Sequence, residues 1–183
     1  MRVAFLDRDG VINRDSGYLY KSDDFEFTEG CLEALKLFQE QGYSLIIVTN
    51  QSGIGRGYYT ETDYKKLTYW YLNQLQQQGI EVMDVFHCPH TPNDGCDCRK
   101  PKPGMFYQAI KRYPTINFSE SLMVGDKLSD LEAASSAGVG RLILVSETQE
   151  QAKAMLQKFS VDQPEARVTL AESLHDFSRK SLL

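Results

Sequence analysis

No apolar run in these 183 residues approaches the length of a membrane span, which argues against an integral membrane protein. Positive charge is not in excess either. Twenty Lys and Arg face 25 Asp and Glu, a net charge of −5. Such a field disfavours nucleic acid or an anionic lipid surface as a partner, while leaving room for a local basic site that holds a small anion. Internal repeats and low-complexity linkers are lacking, so tethered modules are not expected. A chain of this length suits one domain, expected over residues 1–183, with a full core and no need of staples. The amino terminus, "MRVAFLDRDG", reaches charged residues at once and does not read as a signal peptide. A cytoplasmic, reducing compartment is the resulting expectation. Cysteine is scarce at four residues, and three of them fall in "CPHTPNDGCDC", Cys88 to Cys98. In a reducing compartment clustered cysteines act as metal ligands or catalytic groups more often than as disulfides.

What the chain does contain is an alternation of short apolar runs and helical patterns. "VAFLD" (Val3–Asp7), "SLIIVTN" (Ser44–Asn50), "VMDVFHC" (Val82–Cys88), "SLMVGD" (Ser121–Asp126) and "RLILV" (Arg141–Val145) read as buried strands. Leu32, Leu35 and Phe38 recur at helical spacing. Thr60-x-x-Asp63 opens a second helix that ends at Gly79, and Trp70 with its neighbouring tyrosines is expected to pack in the core. Pro103 opens a third, and Gly138 caps a fourth over Leu128–Ala137. After Val145 no motif appears, and a sheet-edge strand with a covering helix is expected. The pattern predicts an α/β fold, doubly wound around a mainly parallel sheet. Ligands of such sheets bind beyond the carboxyl ends of the strands.

Those ends carry the chemistry. The first strand ends in Asp7 and Asp9, the second in Thr49, Asn50, Gln51 and Ser52. The third leads through the cysteines to Arg99, Lys100 and Lys102, and the fourth ends in Asp126, Lys127 and Asp130. In extended backbone Asp7 and Asp9 point the same way, and Asp126 would join them. Converging carboxylates repel unless a hard dication sits among them, and an all-oxygen set favours Mg²⁺, which takes a phosphate oxygen as a further ligand. One carboxylate can then attack phosphorus while the other moves protons. Thr49 and a lysine would stabilise the charge on the phosphoryl group.

Cys88-x-His90 and Cys96-x-Cys98 offer the Cys₃His set of a structural Zn²⁺, with no position left for water. Pro89, Pro92, Asn93 and Gly95 can turn the intervening loop back. His87 alternates with Cys88 and is expected to face away. Cys31 reads as a buried structural thiol, and His175 as a surface or core histidine.

Taken in order, "FLDRDG", "VTN", "RKPKPG" and "GDKLSD" resemble the four motifs of the haloacid dehalogenase superfamily of phosphotransferases, HAD-like and Rossmannoid in fold. Within it, "DRDGVINRDSGYLY", "FEFTEG", "TNQSGIGRGYYTE", the cysteine cluster and "CRKPKPGM" are similar to the heptose-bisphosphate phosphatase branch, with histidinol-phosphate phosphatases as the nearest sibling. The resemblance implies a Mg²⁺-dependent phosphomonoesterase working through an aspartyl phosphate. Its substrate would be the 7-phosphate of a heptose 1,7-bisphosphate, in the making of precursors for lipopolysaccharide or other surface glycans. Asp7 is implied as nucleophile, Asp9 as general acid and base, and Thr49 and Lys100 as phosphoryl stabilisers. The family pattern favours Lys100 over Lys102 because it directly follows the arginine. Asp7, the Asp9 carbonyl and Asp126 would hold Mg²⁺, with Lys127 adjacent and Asp130 supporting. Asp15, Ser16, Gly17, Tyr18, Asn50, Gln51, Ser52 and Arg99 would touch substrate. Cys88, His90, Cys96 and Cys98 would hold Zn²⁺ in a loop at about 88–98. The short spans between motifs leave no room for a large cap domain. A small phosphorylated sugar is the expected partner, with no nucleic acid and no membrane, and a monomer is the default. A phosphorylatable receiver-type module and a zinc-dependent binding module are the readings from other classes.

Overall fold

The central strands form because their side chains are apolar on both faces. In "VAFL", Val3 and Phe5 face one side while Ala4 and Leu6 face the other, and all four are buried. "LIIV" in the second strand repeats the pattern, with Leu45 and Ile47 in one cluster and Ile46 and Val48 in the other. A strand wet on neither face belongs inside a sheet covered by helices on both sides. The computed structural model, which describes residues 1–146, 148–162 and 167–181, shows this arrangement.

Six parallel strands run in the order β3-β2-β1-β4-β5-β6: β1 Val3–Leu6, β2 Ser44–Asn50, β3 Val82–Cys88, β4 Leu122–Gly125, β5 Arg141–Val145 and β6 Val168–Ala171. The helices are α1 Cys31–Glu40, α2 Ser52–Gly55, α3 Glu61–Gln77, α4 Gly104–Arg112, α5 Leu128–Ala137, α6 Gln149–Asp162 and α7 Leu174–Ser181. One face of the sheet is covered by α1, α3 and α7 through Leu35, Phe38, Tyr71 and Phe177. The other is covered by α4, α5 and α6 through Phe106, Leu131 and Phe159. Burying each such side chain contributes about 1.5–3 kcal/mol. No helix among the described residues is long and apolar enough to cross a membrane.

The expected elements are present with small shifts. Asp7 lies just past β1, although its N–H still donates to Val124 O at 3.0 Å. Helix α3 starts on the Thr60/Asp63 capping box. Of the aromatic run inside it, Tyr71 is buried and Trp70 half-buried against Phe25, but Tyr69 is 72% exposed and does not join the core. The reason is helical geometry: three consecutive residues spread over 200° of arc, so they cannot all face inward. After Val145 the chain adds the edge strand β6 and two helices, α6 and α7, rather than one.

The strand order reverses direction at β1, with β2 on one side and β4 on the other. A crevice beyond the carboxyl ends at such a switch point is where ligands sit in open α/β sheets.

Candidate active site and zinc loop

Asp7 extends from β1 into that crevice and is 5% exposed. Beside it, Lys100 places its ammonium 2.8 Å from Asp7 Oδ1, 2.7 Å from Asp130 Oδ1 and 2.7 Å from Val48 O. An ammonium has three donors, and all three are taken. Burial disfavours the Lys100 charge, but Asp130 and Asp7 outweigh it and hold the lysine above its ordinary value. Burial also pushes Asp7 up to about 7. Lys100 opposes that, and Asp130, Asp126 and Asp9 reinforce it. Lys102, the other lysine of the motif, is half-exposed and pairs with Asp97 at 3.1 Å.

Three carboxylates gather, and they are Asp7, Asp126 and Asp130, with ligand oxygens within 4.8 Å of one another. The extended-strand expectation had put Asp9 in this set. The chain instead turns at Arg8, whose carbonyl accepts the N–H groups of Ile12 and Asn13, and the Asp9 carboxylate is not among the three. Asp126 comes close because Gly10 sits opposite. A Cβ there would meet Asp126 Oδ2 at 2.4 Å, and φ of +86° is itself a glycine conformation. Burial and then Asp130 raise Asp126 to about 6, against Lys127 and Lys100. Among the described residues, its Oδ1 is buried without a hydrogen-bond partner. Asp130 spends one oxygen on Lys100 and the other on the Lys127 N–H at 3.0 Å, so it supports the cluster rather than opening onto the crevice. An all-oxygen set, crowded enough to raise two carboxyls and holding an orphaned buried oxygen, fits a hard dication such as Mg²⁺.

Asp9 is gripped by donors. Arg8 Nη2 lies 2.9 Å from each carboxylate oxygen, Asn13 Nδ2 donates to Oδ1 at 3.0 Å, and Gln51 Nε2 donates to Oδ2 at 2.9 Å. Sequence reasoning passed over Arg8, which is fully buried. A signal existed: an arginine between two aspartates at a strand end alternates toward the covered side of the sheet, where a charge needs a partner.

The other expected residues separate into two groups. Thr49 (1% exposed) and Gln51 lie inside the site. Asn50 clasps the Lys100 backbone, accepting from its N–H and donating to its carbonyl, each at 3.1 Å. Asp15, Ser16, Gly17 and Tyr18 form a loop at the rim. Lys127 bridges Asp15 at 3.1 Å and Asp126 at 3.5 Å, tying that loop to the carboxylates. Burial works against the Asp15 charge, but the Gly17 N–H and Lys127 prevail and keep it below the usual carboxylate range. Tyr18 meets Tyr58 edge-on with ring centroids 4.6 Å apart, joining the loop after Asp9 to the loop after α2. Ser52 opens α2, and the Arg99 guanidinium donates to His90 O at 3.3 Å.

The cysteine loop closes on itself. Cys88 Sγ lies 3.6 Å from Cys96 Sγ and 3.1 Å from Cys98 Sγ, and His90 Nδ1 lies 3.5 Å from Cys88 Sγ and 3.2 Å from Cys98 Sγ. Metal–ligand lengths of about 2.3 Å for sulfur and 2.0–2.1 Å for nitrogen give tetrahedron edges of about 3.5–3.8 Å. The spacings of 3.1–3.6 Å come within a few tenths of an ångström of these, so the four atoms can close around Zn²⁺ with no vacant position. The loop is docked onto the second motif by Gln51 N–H to Cys88 O at 2.7 Å and Gly55 N–H to Pro89 O at 2.9 Å. His87 turns away and meets Glu61 at 3.0 Å. Cys31 is buried, and that burial pushes its thiol up to about 12, so it stays inert. His175 packs over Gly30 at the start of α1 and borders a cavity of about 830 Å³ with Asp15 and Asp126.

A family model described as polynucleotide kinase 3 phosphatase matches residues 2–175. D-glycero-alpha-D-manno-heptose-1,7-bisphosphate 7-phosphatase of Photorhabdus laumondii is 51% identical over 153 residues, covering 79% of this chain and 82% of the relative. The chain belongs to the heptose-bisphosphate phosphatase family of the haloacid dehalogenase superfamily. A beta-named member of that family, from Haemophilus ducreyi, is 49% identical over 79% of this chain and 82% of its own length. The heptose-bisphosphate phosphatase of B. bronchiseptica, solved with magnesium and phosphate, superposes with a TM-score of 0.83 at 36% identity, over 100% of this chain and 98% of that one. Family membership agrees with the parallel sheet, the acidic crevice and the Cys₃His loop described above.

Proposed function

We propose that this protein is a Mg²⁺-dependent phosphomonoesterase that removes the 7-phosphate of D-glycero-D-manno-heptose 1,7-bisphosphate. The observation that carries the reading is Asp7: a carboxylate at the switch point of a parallel sheet, gathered with Asp126 and Asp130 and paired with Lys100 at 2.8 Å. The names of the relatives support the substrate.

In the proposed reaction an Asp7 carboxylate oxygen attacks phosphorus, and the bond between phosphorus and the sugar oxygen breaks. Asp9 gives that oxygen its proton. Water then attacks the aspartyl phosphate, Asp9 takes the water's proton, and Asp7 is released as carboxylate with inorganic phosphate. When bound beside Asp7 and Asp126, Mg²⁺ supplies positive charge that offsets the carboxylates and the phosphoryl oxygens. Lys100 holds Asp7 in its attacking position, and Thr49 faces the transferring group. Arg99, Ser52 and the Asp15–Tyr18 loop take the sugar and its second phosphate, with Asp15 steadied by Lys127. With loops rather than a cap around the crevice, the site suits a small substrate. A net charge of −5 supports a soluble sugar phosphate over nucleic acid or membrane, and we place the enzyme in the cytoplasm as a monomer.

A phosphate-release screen with Mg²⁺ over both anomers of heptose 1,7-bisphosphate, sugar monophosphates and histidinol phosphate tests the reading. One heptose bisphosphate anomer is the expected best substrate. A preference for histidinol phosphate overturns the substrate and leaves the chemistry. A phospho-protein lasting minutes after treatment with a small phosphodonor overturns the enzyme in favour of a receiver-type module.

The zinc loop supplies a further prediction. Cys98 directly precedes Arg99, whereas Lys100 is anchored separately by Asn50. Cys98→Ser, with zinc content checked by atomic absorption, is expected to raise KM about tenfold, the scale of one charged contact, while kcat stays within roughly threefold. An unchanged KM in the zinc-free variant would sink the idea that the loop positions Arg99.

A further inference from the structure

Gln51 reads from sequence as a substrate contact, yet its side chain has no N–H to spare. It is 2% exposed, and its Nε2 donates to Asp9 Oδ2 and to Thr49 Oγ1, each at 2.9 Å. Its Oε1 accepts from the Tyr59 hydroxyl at 2.6 Å. An amide carries two N–H donors on one side and an acceptor on the other, so the way it faces decides what it does. Reversed, it would set Oε1 against a carboxylate oxygen, lone pair to lone pair. The Tyr59 hydroxyl opposes that reversal by supplying Oε1 with its donor.

Tyr59 is itself fixed. It is 5% exposed, and its ring stacks on Tyr20 with centroids 5.4 Å apart and 15° between planes. It lies over Gly53, where a Cβ would stand 2.2 Å from ring Cε1, so the backbone of the second motif leaves room for this ring. Among the described residues, Arg8 and Asn13 hold Asp9 from its own loop, and Gln51 ties it to the end of β2.

We infer that Tyr59 and Gln51 are positioning residues: Tyr59 locks the Gln51 amide, braced on the Thr49 hydroxyl, so that its other N–H sets the Asp9 carboxylate. The inference rests on the reading of Asp9 as proton donor to the leaving oxygen. Without the Tyr59 hydroxyl, a buried amide carbonyl loses its donor, and the amide gains freedom to swing off Asp9. The residue pair acts through Asp9 and does not touch the substrate.

The test uses the leaving group. A sugar phosphate expels a poor alkoxide that needs its proton, whereas an aryl phosphate such as p-nitrophenyl phosphate expels a good one that does not. For Y59F, kcat/KM on the heptose bisphosphate is expected to fall roughly tenfold, the worth of one buried hydrogen bond, and on the aryl phosphate less than about threefold. Gln51→Met, which removes both ends of the relay, is expected to show the same split and serves if Y59F does not fold. Equal losses on the two esters in the folded variants indicate mere structural damage and overturn the inference. Variants indistinguishable from an active wild type overturn it alone. A wild type that cleaves neither ester overturns the phosphatase reading and this inference with it.

Discussion

Asp7→Asn is expected to lower phosphate release by about four orders of magnitude or more, because a carboxamide is not a nucleophile toward phosphorus. The fold should survive the change. Burial and the Asp130, Asp126 and Asp9 carboxylates already oppose a charge at this position, and Lys100 keeps Asp130 and Val48 O as partners when Asp7 loses its own charge. Melting in metal-free buffer near neutral pH should therefore come no lower than wild type. Mg²⁺ should raise the wild-type melting temperature more than that of the variant, since a ligand stabilises in proportion to its affinity for the folded state. Turnover by Asp7→Asn within tenfold of wild type would falsify the aspartyl-phosphate route.

Lys100→Met carries the largest combined effect, on stability and rate together. The ammonium is buried and spends its three donors on Asp7, Asp130 and Val48 O at 2.7–2.8 Å. Its removal leaves two buried carboxylates without their cation. Breaking a buried pair by removing one partner costs about 3–5 kcal/mol, or on the order of 10 °C in melting temperature for a chain of this size. Activity should fall by about a thousandfold or more, because Asp7 then loses its orientation and the buried ammonium beside it. Lys100→Arg is not expected to rescue it: a planar fork cannot point donors at three partners arranged around a single nitrogen. Calorimetry with and without Mg²⁺, beside phosphate-release kinetics, reads both effects. A Lys100→Met protein that melts with wild type would show that the three short contacts contribute little.

How far the site could be read in the chain varies residue by residue. Asp7, Thr49 and Asp126 could be placed at one edge because each follows a strand of near-continuous aliphatic residues, and a parallel sheet presents those ends together; Lys100, beyond the cysteine loop, was singled out from Lys102 only by the family pattern. The Cys₃His loop was legible from ligand type alone, since four such side chains within eleven residues have few other uses in a reducing compartment. The identity of the third carboxylate was not. Alternation along an extended strand puts Asp9 beside Asp7, whereas the chain turns at Arg8 and the third carboxylate is Asp130, from the first turn of α5. Asn50 and Gln51 read as substrate contacts by position, yet one clasps the Lys100 backbone and the other links Asp9, Thr49 and Tyr59.

The sequence by itself determined the fold class, the edge of the sheet where chemistry gathers, and the Cys₃His group. These depend on local periodicity and residue type, which one dimension records. Only the tertiary structure decided which donor meets which acceptor: Lys100 between Asp7 and Asp130, Arg8 under Asp9, and Tyr59 behind Gln51. A hydrogen bond is settled within a few tenths of an ångström, between residues 93 apart in the chain for Lys100 and Asp7. Distances of that kind come from the packing of whole elements, and no spacing along the chain encodes them.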